Sequence, residues 1–133
     1  MVDLDAGKMR SSIEVPGRTR WTVFDPEAEV FYVNIMHPSQ IVVVDARQPD
    51  RIARTMVIPA DGAHGLDYDP ATRRLFCACD AGVLVTLDAG TGKVLSEAKL
   101  NGSVVRKLNH QCGRIAPSRR VFGVRVGGIV IPL

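Results

Sequence analysis

The segment Trp21-Thr22-Val23-Phe24-Asp25-Pro26 recurs 44 residues later as Gly65-Leu66-Asp67-Tyr68-Asp69-Pro70, and the same offset lays Phe31-Tyr32-Val33-Asn34 over Leu75-Phe76-Cys77-Ala78. One step further along, Ile41-Val42-Val43-Val44-Asp45-Ala46 matches Leu84-Val85-Thr86-Leu87-Asp88-Ala89 at an offset of 43, and Val2-Asp3-Leu4-Asp5-Ala6 matches that segment again. A period of this length, held across several motifs, means one supersecondary unit repeated, each copy burying its apolar surface against the next. The N-terminal match falls in the middle of a unit.

Within the second full unit, β-branched, aromatic and aliphatic runs predict strands near 64–68, 74–79, 83–87 and 94–100. They are separated by Asp69-Pro70-Ala71-Thr72, by Asp80-Ala81-Gly82 and by Asp88-Ala89-Gly90-Thr91-Gly92-Lys93. In such turns an Asp side chain accepts hydrogen bonds from nearby backbone amides, and Pro26 and Pro70 fix φ where no ladder donor is needed. The unbroken apolar run from Ile41 to Val44 implies strands buried on both faces, because a sheet with one wet face alternates apolar and polar residues. A four-stranded unit at this period, covered on both faces, is a blade of a β-propeller.

The predicted fold is therefore all-β, made of β-propeller blades that are four-stranded antiparallel sheets. About three blade equivalents are present, fewer than the four or more that close a ring, so the ring is incomplete. Residues 1–17 form a half blade, 18–60 a blade, 61–102 a blade and 103–133 a weaker partial blade. In the last of these, Ala116 to Val124 resembles Asp69 to Cys77 and Gly127 to Ile131 resembles Ala81 to Val85, whereas Ser103 to Arg114 fits the repeat poorly.

Composition narrows the class. With 46% hydrophobic and 23% charged residues the chain is globular, which excludes disordered and collagen-like readings. No apolar run approaches the roughly 18 residues of a membrane helix, and Met1-Val2-Asp3-Leu4-Asp5 is acidic where a signal peptide is basic and then apolar. A soluble chain with no membrane contact and no export address in these residues is expected, its compartment left open. The three cysteines, Cys77, Cys79 and Cys112, have no disulfide-framework spacing. Residues 101–133 carry six basic side chains and no acid.

The run Phe31-Tyr32-Val33-Asn34 followed by Ile41-Val42-Val43-Val44-Asp45 resembles the YVTN-type repeat of bacterial and archaeal propellers, often described as YncE-like. The stretch from Ala63 to Thr72 and on through Leu87 to Leu95 is closer still to that pattern. The resemblance covers about residues 1 to 100 and implies fold rather than activity, since its motif residues are turn and core positions. It further implies a full ring of about seven blades, frequent export, DNA binding in some members and, in related propellers, association with quinone- or haem-linked dehydrogenases. This chain differs in lacking a signal segment and in holding under half of a ring, so its expected partners include further copies that complete the ring.

Candidate site residues follow from the repeat. His64, with Arg20 at the equivalent place one repeat earlier and His110 near it one repeat later, falls on the first strands, which line a propeller's channel. The expected ligand site is the channel mouth around Arg20, His64 and His110. Cys77 and Cys79 share one face of a strand and, with His64, His110 and Cys112, compose a conceivable zinc set whose spacing matches no finger or ribbon, so buried thiols and no metal are expected. The recurring aspartates, Asp3, Asp5, Asp25, Asp45, Asp67, Asp69, Asp80 and Asp88, are read as turn chemistry rather than a calcium or acid–base site.

Gly90-Thr91-Gly92-Lys93 is a fragment of a phosphate loop in a hairpin context, which excludes a nucleotide hydrolase. Arg106, Lys107, Arg114, Arg119, Arg120 and Arg125 lack the interleaved aromatics of a nucleic-acid surface, and Trp21 reads as core. The function expected is a non-catalytic propeller scaffold or binding module for a protein or small ligand, with no cofactor. The alternatives are a metal-dependent hydrolase or dehydrogenase-associated propeller subunit, and a DNA-binding propeller.

Overall fold

The computed structural model describes residues 5–9 and 12–100 in full, and the backbone of residues 2–3, 123–126 and 129–132. Strands β3 (Thr19–Asp25), β4 (Val30–Ile35), β5 (Gln40–Asp45) and β6 (Arg54–Val57) form one four-stranded sheet in that order. A second is formed by β7 (Ala63–Asp69), β8 (Arg74–Cys79), β9 (Val83–Asp88) and β10 (Val94–Lys99). Both are antiparallel meanders. Two short antiparallel pairs precede and follow them in the chain, β1 (Val2–Asp3) with β2 (Lys8–Met9) and β11 (Gly123–Val126) with β12 (Ile129–Pro132). No helix occurs among the described residues.

The turns close as their sequence predicts. Asp25 Oδ1 accepts the amides of Glu27 and Ala28 at 3.0 and 3.1 Å. Asp69 accepts the amide of Ala71 at 3.0 Å and the hydroxyl of Thr72 at 2.6 Å, and Asp88 accepts both the amide and the hydroxyl of Thr91 at 2.7 Å. Each acid ends a strand and supplies the acceptor that a reversing backbone lacks.

Alternate residues of the inner strands serve opposite faces. In the first sheet Tyr32, Ile41, Val43 and Met56 face the second sheet, where Leu66, Leu75, Cys77, Cys79, Val85 and Leu87 meet them in one buried cluster. Ile35, Val42 and Val44, at the alternate positions of the same strands, are also buried, and Phe76, Ala78 and Leu84 form a further cluster with Leu100. Burial on both faces explains the unbroken apolar runs, and each fully buried aliphatic side chain contributes about 1.5–3 kcal/mol.

Polar bonds lock the same interface. The Tyr32 hydroxyl donates to the Ala89 carbonyl at 3.3 Å, and the Arg54 guanidinium donates to the carbonyls of Gly90 and, at 2.9 Å, Ala89. The two sheets converge along their first strands, β3 beside β7.

Candidate functional site at the start of the inner strands

β3 and β7 start at the same end of the molecule, and each carries a bulge there. In β3 the pairing with β4 shifts between Thr19 and Thr22, leaving Arg20 and Trp21 outside the regular ladder. In β7 it shifts between Ala63 and Gly65, leaving His64 outside. A bulge bends the strand and re-aims the extra side chain, so two consecutive units present a functional group at the same register position.

The backbone freed by the second bulge is held by the first sheet. Asn34, wholly buried at 0% exposure, donates from Nδ2 to the carbonyls of His64 (3.2 Å) and Gly65 (3.0 Å), and its Oδ1 lies 3.7 Å from Cys77 Sγ. A buried carbonyl without a donor is costly, so Asn34 does for β7 what a ladder partner does elsewhere.

His64 Nδ1 lies 3.0 Å from Asp80 Oδ1, both side chains partly exposed. The carboxylate facing Nδ1 fixes the orientation of the ring. Gly62 makes this approach possible. It has a φ of +73°, and a Cβ there would stand 2.6 Å from Asp80 Cβ, so any other residue would push Asp80 away. Its amide donates to Ser39 Oγ at 2.8 Å, and that hydroxyl in turn donates to the Met36 carbonyl at 3.1 Å. His37 and Asp61 form a second, exposed imidazole–carboxylate pair at 3.3 Å.

Arg20 is arranged differently. Its Nη2 lies 3.2 Å from the Met36 thioether, a weak acceptor, and its Nε is buried with no acceptor. No carboxylate pairs with it among the described ion pairs. This end of the molecule thus combines an oriented imidazole with a guanidinium whose Nε has no acceptor.

Of the residues singled out from sequence, Arg20 and His64 occupy equivalent bulges, while His110 and Cys112 lie outside the described residues. Trp21 is half-buried and packs on the core between the sheets. Cys77 and Cys79 share a face of β8 with their sulfurs 4.0 Å apart, both buried. The hydrogen bond with Cys79 and burial push the Cys77 thiol up, which keeps it protonated. Among the described residues no three His, Cys, Asp or Glu side chains converge as a metal site. Asn34 is not singled out by the repeat, and Asp80, read from sequence as a turn aspartate, also faces His64. The signal for Asp80 is its place directly after Cys79, which pairs with Ala63, the residue before His64.

No protein-family model matches the sequence, and no curated protein matches it. Solved structures do. The β-propeller domain of Cps50 (Swd1) from Myceliophteria thermophila superposes with a TM-score of 0.57 at 17% identity, over 68% of this chain and 28% of that one. Hydrazine synthase from Kuenenia stuttgartiensis gives a TM-score of 0.63 at 17% identity, over 72% and 28%. These sheets are β-propeller blades. Apo AztD from Citrobacter koseri agrees, with a TM-score of 0.56 at 20% identity over 68% and 26%. The match spans under a third of each of these chains, so the described part is a sector of a propeller. At these identities the likeness concerns the fold alone. β3 and β7, the first strands of the two blades, lie side by side where the sheets converge.

Proposed function

We propose that the chain is a non-catalytic propeller module that binds a partner or small ligand at the channel mouth, through Arg20 and His64. The observation that carries this reading is the guanidinium of Arg20. Its Nε is buried without an acceptor, one blade from an imidazole at the same register position. Donors of this kind favour a ligand that brings oxygen acceptors, a carboxylate or a phosphate, because a guanidinium pairs with such groups through parallel N–H bonds. Binding is favoured over nucleophilic chemistry because the Ser39 hydroxyl on this end is engaged with backbone on both sides. The YVTN-type likeness of the repeat is compatible with this role and adds no ligand of its own.

The test is a titration of the full chain with acetate and with inorganic phosphate, followed through the His64 ring resonances. Saturable shifts that vanish in Arg20→Gln are expected. Shifts that are absent, or unchanged in that variant, would overturn the assignment. Light scattering across a dilution series tests the accompanying proposal that further copies complete the ring, a dimer supporting it and a monomer at all concentrations opposing it.

A further inference from the structure

At the opposite end of the inner strands a shallow groove of about 320 Å³ runs between the two blades, lined by Val23, Phe24, Pro26, Asp67, Tyr68 and Pro70. These are the same three register positions taken from consecutive repeats, Val23 with Asp67, Phe24 with Tyr68 and Pro26 with Pro70. The exception to an otherwise apolar and aromatic lining is Asp67, so its charge is not demanded by the repeat.

The other aspartates nearby are already satisfied. Asp25 is bonded to Tyr68 and to two turn amides, and Asp69 to the amide of Ala71 and the hydroxyl of Thr72. Asp67 accepts one bond, at 2.9 Å from the amide of the adjacent Tyr68, and no cation is paired with it among the described residues. Crowding by the groove walls raises its pKa although water still reaches it, the Tyr68 amide acts against that, and the charge of Asp69 adds to the rise. A positive group entering the groove would relieve this uncompensated carboxylate.

We infer that the groove is a subsite for an arginine side chain presented by a basic partner peptide, with Asp67 accepting from the guanidinium and the rings of Phe24 and Tyr68 and the prolines packing on its faces. Arginine suits the lining better than lysine, because its planar, weakly hydrated head stacks on rings and forks onto a carboxylate while an ammonium does neither as well. The site lies at the far end of the inner strands from Arg20 and His64 and is independent of the reading proposed for them.

The experiment is calorimetric titration of the full chain with acetylated peptides that differ at one position, arginine, lysine or the neutral isostere citrulline. The arginine peptide is expected to bind saturably and about tenfold or more tighter than the citrulline peptide, with lysine between them. Asp67→Asn, at an exposed position, is expected to abolish that discrimination with the melting temperature unchanged, and Arg20→Gln to leave it intact. Equal binding of arginine and citrulline, no saturable binding, or full retention in Asp67→Asn would each overturn the assignment.

Discussion

The Tyr68 hydroxyl donates a 2.8 Å hydrogen bond to Asp25 Oδ2, joining the first strand of one blade to the first turn of the blade before it. Asp25 is 1% exposed and spends its other oxygen on the amides of Glu27 and Ala28, so one carboxylate closes a turn and clamps an interface.

Tyr68→Phe should lower stability by about 1–3 kcal/mol, the cost of leaving one lobe of a buried carboxylate unmet. Burial pushes the Asp25 carboxyl up, but the Tyr68 hydroxyl, the Ala28 and Glu27 amides and the Arg73 charge outweigh it and leave it below its ordinary 3.8. A depressed folded-state value stabilises above the unfolded value and is lost as pH falls through the folded one. Urea midpoints of wild type and variant should therefore differ most near neutrality and converge as pH drops below about 4. A gap independent of pH would contradict this account.

At high pH the same bond acts with opposite sign. Burial, and then the bond to Asp25, push the Tyr68 phenol up to about 12, and burial also raises Tyr32. An elevated phenol stabilises below the unfolded value of 10 and loses that contribution as pH rises from 10 to about 12. Because the chain has two tyrosines, both raised, an ultraviolet titration of the native protein should show well under half of the full phenolate signal at pH 10 and a steep rise with unfolding above it. Half-ionisation near pH 10 in the folded state would count against the interface described.

Asn34→Ala should destabilise by about 2–3 kcal/mol, since it strips donors from two carbonyls and leaves a gap beside Cys77. Asn34→Asp should be worse, because a carboxylate would face two carbonyl oxygens. Thermal melts rank the three proteins. Hydrogen exchange should show the loss concentrated at the start of β7, and uniform loosening would argue against a role for Asn34 in holding the bulge.

Gly92 has a φ of +76°, and a Cβ there would stand 2.8 Å from Met56 Cγ on the neighbouring blade. Gly92→Ala should cost about 1–3 kcal/mol, from a left-handed backbone and a displaced buried side chain together. Combining it with Met56→Ala should recover the steric part, so a double-mutant cycle that is strictly additive would rule out the contact.

Much of the fold can be read from the repeat, and the reason is visible in particular residues. Strand positions follow from alternation between turn aspartates, and Asp25, Asp69 and Asp88 all close turns where the pattern puts them. The offset of 44 also places Arg20 and His64 at equivalent positions. It states equivalence, however, and not contact. Two of the bonds between blades, Asp25 to Tyr68 and Asn34 to Cys77, join residues 43 apart, one residue off the 44-residue alignment, and others such as Tyr32 to Ala89 and Asn34 to His64 follow no repeat offset. Bulges are hidden for a related reason, since what stabilises the one in β7 is a side chain thirty residues earlier. The pattern groups Asp67 with the turn aspartates, and only its position in the groove sets it apart.

The division of labour along β4 and β5, where Tyr32, Ile41 and Val43 serve one neighbour and Val42 and Val44 the other side, bears on how such a gene can change. Adding or removing a whole repeat presents to each side the surface it already meets, so ring size can vary in whole steps with every interface kept. Inserting one residue into β4 or β5 exchanges the two sets of side chains and spoils both interfaces at once. Lengthening by duplication is therefore tolerated where the smallest insertion is not.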